Sequence, residues 1–536
     1  MKTLNKLSIL ALTSILVLSS CETTELDLTS NPNALNPSQA SADLFINKVQ
    51  VDFAYFVNAM SGVGSRLVRI NQLSGDRLYA DAYGPGSFSG VWQIAYQGMM
   101  EDIRVMNTIA AESGLTYYIG MGEVIQAYTL LTLVDFFGDI PWSEALQGSE
   151  NLNPALDSGQ SVYNVALNLL DSAISNFSAG GASPEYDMYY GGNAKNWIKA
   201  ANSIKKKAYL NLGEYANYRA ITNYITNSSA DFQFQWGDNE VNPDTRHPMY
   251  RSSYSNTGAG VYQSNWLMNR LMIGRNGQRD PRINYLFYRQ VAQTPGKDGP
   301  TDEVSLECSV DGYYIEPHRV AYGVYCSLPE GYWGRDHGND DGIPPDGFKR
   351  TIAGIYPAGG AFDDESYQSL GPGDGEKGVG ITPIILKSWM HFMNAEVAVM
   401  TNDAPAITTQ TLAGIRSSLN KVDDSPGAPE MSAASIDSYI ANFASEWTAA
   451  GTLGGKLELW AEEFWIASQG GGIENYNSYR RNGYPQNLQP MQEPDPGTFP
   501  SSMWYPQNLA ANNSNVSQKN DVAGKVFWNT NGPTVD

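Results

Sequence analysis

Cysteine and histidine are scarce in this chain of 536 residues, with three Cys and four His. A disulfide-braced scaffold is therefore excluded. A zinc centre takes about four such ligands at short spacings, and His247, His318, His337 and His391 are scattered. Basic residues are also few: 34 Lys and Arg stand against 56 Asp and Glu, a net charge of -22. A nucleic-acid binder needs a basic footprint, so no nucleic-acid partner is expected. Beyond the first residues there is no apolar run near the roughly 20 residues that a membrane-spanning helix requires. Enzyme motifs are missing too: no His-Glu-x-x-His, no Gly-x-Ser-x-Gly and no phosphate loop ending in Gly-Lys-Ser/Thr. The adjacent acids Glu462-Glu463 and Asp340-Asp341 cannot face each other across a glycosidic bond, because neighbours on a helix point about 100° apart. They read as solvated surface. No catalytic residue, metal or cofactor is expected; a lipid-anchored glycan hydrolase built from acids distant in sequence is the enzymatic alternative.

The first residues do carry a pattern. Lys2 and Lys6 precede a short apolar core from Leu7 to Leu18, which ends at Leu18-Ser19-Ser20-Cys21. This is the layout of a secretory signal over residues 1–20. Small residues before a cysteine resemble a lipoprotein-processing site, which makes Cys21 the expected lipidation point and the membrane attachment purely lipidic. Residues 21–37 are polar, with Asn31-Pro32-Asn33 and Asn36-Pro37, and read as a flexible tether. Cys308 and Cys326 remain; in an oxidising compartment they could close one loop as a disulfide or stay as two separate thiols.

In the body, residues 38–536, apolar residues recur at three- and four-residue spacing: Trp92, Ala95, Met99, Ile103 and Met106; Met121, Val124, Ile125, Tyr128 and Leu131; Val162, Val165, Leu169, Leu170 and Ala173; Trp197, Ala201, Ile204 and Ala208. These are helical stripes facing a core. They predict helices over about 38–225, and similar patterns predict them again over about 381–467. Between them, residues 226–380 are rich in Gly, Pro, Asn, Asp and Tyr, and the run from Gly334 to Gly347 reads as irregular. The end, about 468–536, reads as irregular as well.

Several segments then match a known pattern in order and spacing: Asp135-Phe136-Phe137-Gly138-Asp139-Ile140-Pro141-Trp142-Ser143-Glu144-Ala145, Asp280-Pro281-Arg282, Phe464-Trp465-Ile466-Ala467, Arg480-Arg481-Asn482-Gly483-Tyr484-Pro485, Tyr505-Pro506-Gln507 and Lys525-Val526-Phe527-Trp528. Together they resemble the SusD/RagB family of nutrient-binding outer-membrane lipoproteins. The resemblance implies a mostly α fold. Tetratricopeptide-like helix-turn-helix pairs would form a right-handed superhelix, with a loop-rich insertion carrying the ligand site. It also implies a SusC-like TonB-dependent transporter as partner and an oligosaccharide, or in a variant a peptide, as ligand. Glu22 and Glu25 resemble the family's tag for display on the cell exterior.

Aromatics are plentiful, with 12 Trp, 32 Tyr and 17 Phe. Sugar rings stack their C–H faces on such side chains while hydroxyls pair with polar groups. The loop clusters around Arg77, Tyr79 and Tyr83 and around Tyr332, Trp333 and Arg335 are therefore the expected ligand-binding residues, the resemblance pointing to the same two regions. The acidic loop from Asp336 to Asp346 is read as held by turns and prolines rather than by calcium. Lys205-Lys206-Lys207 reads as a solvated helix face.

Overall fold

The computed structural model describes residues 41–73, 78–294, 325, 328–339, 346–491 and 496–529, apart from the side chains of Ala80 and Asp81. Cys21, Arg77, Cys308 and Cys326, and with them the lipid anchor, the tether and the possible disulfide, lie outside the described residues.

From Ala42 onward the chain is one compact unit. It opens with α1 (Ala42–Leu67). Helix α2 (Glu101–Glu112), reached through a π-helical stretch at Ile94–Met100, and α3 (Thr116–Phe137) form the first antiparallel pair. Next come α4 (Gly159–Ala179) and α5 (Ala194–Leu212). A short helix, α6 (Asn265–Ile273), sits in the middle region. Two more pairs follow: α7 (Lys387–Met400) with α8 (Ala404–Asp423), and α9 (Ala433–Ala449) with α10 (Leu453–Ala467). The helical stripes read from the sequence are inward-facing, with Val165 and Leu169 half-buried at their margin. Polar side chains mark many starts: Ser158, Asn193, Ser264, Asp403, Ser432 and Thr452 each accept a backbone N–H of the first turn, satisfying a donor that has no intrahelical partner. Helix α3 is buried on almost every face. It therefore acts as the axis on which α2 and α4 pack.

Strand is confined, among the described residues, to three antiparallel two-stranded ribbons: β1 (Ile140–Pro141) with β2 (Leu156–Asp157), β3 (Phe232–Gln235) with β6 (Ile381–Ile385), and β4 (Phe287–Tyr288) with β5 (Ile352–Ala353). The β3–β6 ribbon ties the start of the loop-rich middle to the segment that leads into α7. Its segment 381–386, expected to open a helical region, is strand and cap instead. The last region was expected to be irregular, yet it contains α11 (Ile473–Asn482). Its residues are polar but buried on nearly all sides, so no apolar stripe betrays the helix.

α11 reaches α1 at one tight point. A Cβ placed on Gly64 would stand 2.5 Å from the carbonyl oxygen of Gly472, a backbone atom that cannot swing away. Two residues earlier, Gly62 faces open space. Gly64→Ala is expected to lower stability by about 1–3 kcal/mol through overpacking, although alanine is the better helix former. Gly62→Ala should be neutral or stabilise by roughly 0.5–1 kcal/mol. Urea unfolding of the two variants checks this; equal midpoints would mean the crossing is not tight.

Candidate functional site

Asn58, Gly62 and Arg66 lie four residues apart on α1 and so share one face of it. Two clefts meet along that face. The first, about 230 Å³, is lined by Ser65, Asn71, Gln72, Ser252 and Gln263 together with Met249, Tyr262 and Gly470-Gly471. The second, about 380 Å³, is lined by Val63, Ala82, Tyr83, Ser87, Phe88 and Val91. Gly62 contributes no side chain, which keeps the floor between them open. Arg66 is half-buried and lines both. Directed polar groups beside apolar surface are the general pattern of small-ligand sites.

The residues expected from the sequence are distributed around these clefts in two layers. Tyr83 lines the second cleft. Burial raises its phenol above the ordinary value, and the neighbouring Arg66 guanidinium pulls the other way. Tyr79, Tyr332, Trp333 and Arg335, expected as direct contacts, are buried and offer no open ring face. Tyr79 receives a hydrogen bond from Arg69 Nη2 at 3.1 Å, and its hydroxyl stands 3.4 Å from His337 Nε2. Burial, followed by the charge of Arg69, holds the His337 imidazole well below its usual range. Tyr332 lies under the Arg289 guanidinium, 4.8 Å from its ring centre. Trp333, 2% exposed, packs on Tyr262 and Val291. Arg335 and Arg350 sit 4.2 and 3.6 Å from the Tyr262 ring centre. The Tyr262 hydroxyl donates to Asp346 at 2.6 Å, and Arg335 Nη2 donates to that hydroxyl at 3.1 Å. Trp333 and Arg335 thus form the backing of Tyr262, which itself faces the first cleft. Aromatic loop clusters drew attention to the supporting layer. The lining residues Asn58, Arg66, Asn71 and Gln263 have no aromatic signal and were missed.

Two other expectations change. Lys206 and Lys207 are buried, not solvated. Lys206 lies over the rings of Tyr218 and Tyr224 at 3.7 and 4.4 Å, and burial pulls its amine down to about 8. Lys207 pairs with Asp135 at 3.1 Å and Glu474 at 3.2 Å. Glu462 and Glu463 are likewise buried, tied to Arg275 at 2.8 and 2.9 Å. At the two ends of the acidic loop, Asp336 accepts from Asn265 at 3.0 Å, while Asp346 accepts from Tyr262 and from Arg350 at 2.6 Å. No cluster of three or more metal-ligating side chains occurs among the described residues.

Helix pairs carrying a loop-rich middle, with a cleft on the first helix, define a helical-repeat binding protein. The family profile for SusD-like proteins, described as "Starch-binding associating with outer membrane", matches residues 33–314. The chain belongs to that SusD-like family, and it is an outer-membrane-associated protein. Among solved structures, it is similar to a SusD/RagB family protein from Bacteroides thetaiotaomicron, at 19% identity and TM-score 0.65 over 92% of this chain and 100% of the other. A SusD homologue from Bacteroides fragilis aligns at 17% and 0.64, over 92% and 100%. A chitin-binding SusD homologue from Flavobacterium johnsoniae aligns at 18% and 0.63, over 92% and 99%. At these identities the likeness shows the shared tetratricopeptide-containing fold. No curated protein matches the chain. No helix among the described residues is long and apolar enough to cross a membrane.

Proposed function

We propose that this protein captures an oligosaccharide in the paired clefts along Asn58, Gly62 and Arg66 and passes it to a SusC-like TonB-dependent transporter. In this reading the lipid at Cys21 tethers the body to the outer membrane, facing the exterior. The observation that carries the reading is the open floor at Gly62, with hydrogen-bonding and apolar side chains together lining the clefts on either side of it. A sugar presents the same two characters, hydroxyls and C–H faces. Membership of the SusD-like family supports it, as does the chitin binding of a structural relative. Capture and delivery require recognition without turnover, so the protein acts as a binder and not as a hydrolase. Tyr83 and Tyr262 are the aromatic contacts; Trp333 and Arg335 act by holding the wall behind Tyr262.

The test is a glycan array probed with the lipid-free body, followed by Gly62→Leu. The leucine side chain enters the open floor without meeting a neighbour within 4 Å of its Cβ. The variant is expected to fold normally and to lose at least about tenfold in affinity for the captured glycan, roughly 1.4 kcal/mol. Unchanged affinity in Gly62→Leu would place the ligand elsewhere.

A further inference from the structure

Several arginines around the clefts and core are paired with acids. Arg275, Arg282, Arg289, Arg350 and Arg481 each have a carboxylate within 3 Å. Arg66 has no carboxylate partner among the described residues, although the chain carries 56 acidic side chains. It is also the one charged side chain among the described residues lining either cleft. Behind Tyr262 the balance is again positive: Arg335 and Arg350 share the single carboxylate of Asp346, at 3.6 and 2.6 Å. Amide side chains of Asn58, Asn71, Gln72 and Gln263 line the same cleft as Arg66.

A protein of net charge -22 repels anions over most of its surface. A cleft whose described lining holds a guanidinium and no acid inverts that field locally. Guanidinium matches carboxylate in a planar two-point contact, stronger than a neutral hydrogen bond. A neutral sugar would leave this half-buried charge without an equal partner.

We propose that the cleft at Arg66 selects a carboxylate-bearing oligosaccharide, one containing uronic acid residues, over its neutral counterpart. This rests on the oligosaccharide capture proposed above. The sugar's carboxylate takes the guanidinium, and its hydroxyls take the amides of Asn58, Asn71, Gln72 and Gln263.

Calorimetry with matched pairs tests it. The acidic probes are oligomers of galacturonate, of mannuronate, of guluronate and of glucuronate-containing hyaluronan. Each is paired with its carboxyl-reduced form, and neutral malto-, chito- and cello-oligosaccharides and short acidic peptides complete the set. At least one uronate oligomer should bind. Carboxyl reduction and Arg66→Gln should each weaken it by about tenfold to a hundredfold. Arg66→Lys should recover part of the loss, since it keeps the charge but not the two-point geometry. Carboxyl reduction is read on the unaltered protein, so the result stands even if Arg66→Gln folds poorly. Binding of a neutral oligosaccharide alone, indifferent to Arg66→Gln, overturns the acid preference and leaves oligosaccharide capture intact. Binding of peptides alone, or of nothing in the set, overturns both.

Discussion

Asp135→Asn is expected to destabilise the protein by about 3–5 kcal/mol, the usual cost of removing one member of a buried ion pair. Asp135 is fully buried near the end of α3, and its two carboxylate oxygens collect donors from across the chain. Oδ1 accepts from the Tyr163 hydroxyl on α4, from Trp528 Nε1 at 3.0 Å and from Asn211 Nδ2 at 3.3 Å. Oδ2 accepts from Lys207 Nζ at 3.1 Å and from Asn477 Nδ2 at 2.7 Å. An asparagine has the same shape but turns one acceptor into a donor. Whichever way its amide points, N–H₂ faces either the Tyr163–Trp528 side or the Lys207–Asn477 side, both of which donate. Lys207, 1% exposed, would keep only Glu474 as a counter-charge. Burial of Lys207 lowers its affinity for a proton, but Glu474 and Asp135 outweigh this and hold the amine above its ordinary value. A group raised in this way contributes its full stability below the unfolded lysine range of about 10.4. The loss in Asp135→Asn should therefore be constant across neutral pH. Urea midpoints at several neutral pH values measure it. A loss under about 1 kcal/mol would mean that the network is not a keystone of the fold.

That network also explains what could be seen in the sequence. The motif segments with Asp135, with Arg480-Arg481 and with Trp528 are far apart along the chain, yet they meet at one buried point. Arg480 Nη1 donates to the Asp135 carbonyl at 2.7 Å, Arg481 pairs with Glu396 at 2.8 Å, and Tyr505 reaches the Asp139 carbonyl at 2.9 Å. Their order and spacing carried the family resemblance; the contact that constrains them is a property of the folded chain alone. The helices with apolar stripes, α2 to α5, were legible because a one-sided core imposes a period on the sequence. Helix α11 was not legible, because polar side chains such as Asn477, Ser478 and Arg480 are buried among polar partners and not by apolarity. Lys207 and the Glu462-Glu463 pair failed for the same reason: charge usually reports solvent, and here it reports distant counter-charges. For the candidate site, the loop aromatics read from the sequence put Tyr83 in the lining of the second cleft and Trp333 behind Tyr262. The lining itself comes from single polar residues on a regular helix, Asn58 and Arg66, and from a glycine that contributes only space.

Glu463→Gln is expected to cost about 3–5 kcal/mol at neutral pH and to reduce the protein's sensitivity to acid. Glu463 joins the Asp-Pro-Arg element to α10. It accepts from Arg282 Nη2 at 2.6 Å, from Arg275 Nε at 2.9 Å and from the Tyr439 hydroxyl at 2.7 Å. Arg282 is itself held by Asp280, so two guanidiniums and two carboxylates share one fully buried volume with a second glutamate, Glu462, on its edge. Burial alone would raise the Glu463 carboxyl, but the charges of Arg282 and Arg275 outweigh it and hold the group below the usual carboxylate range. A carboxyl depressed in the folded state binds its proton more readily when unfolded. Its contribution is thus present above the unfolded value of about 4.3 and is lost as pH falls through the folded value. The native protein should lose stability with acid across that window, and Glu463→Gln should show a shallower fall because it has no proton left to take up there. Replacing one partner by a neutral group strands the guanidinium of Arg282 against Asp280 alone, which is why the neutral-pH cost is large. Replacing Glu463, Arg282 and Asp280 together by apolar side chains of similar volume should restore most of it, since a well-packed apolar cluster can equal a buried ion pair. Urea unfolding of the three proteins between neutral pH and about pH 3 gives both readouts. Parallel acid profiles in the native protein and in Glu463→Gln would show that Glu463 is not the group through which acid loosens the joint between the middle region and α10.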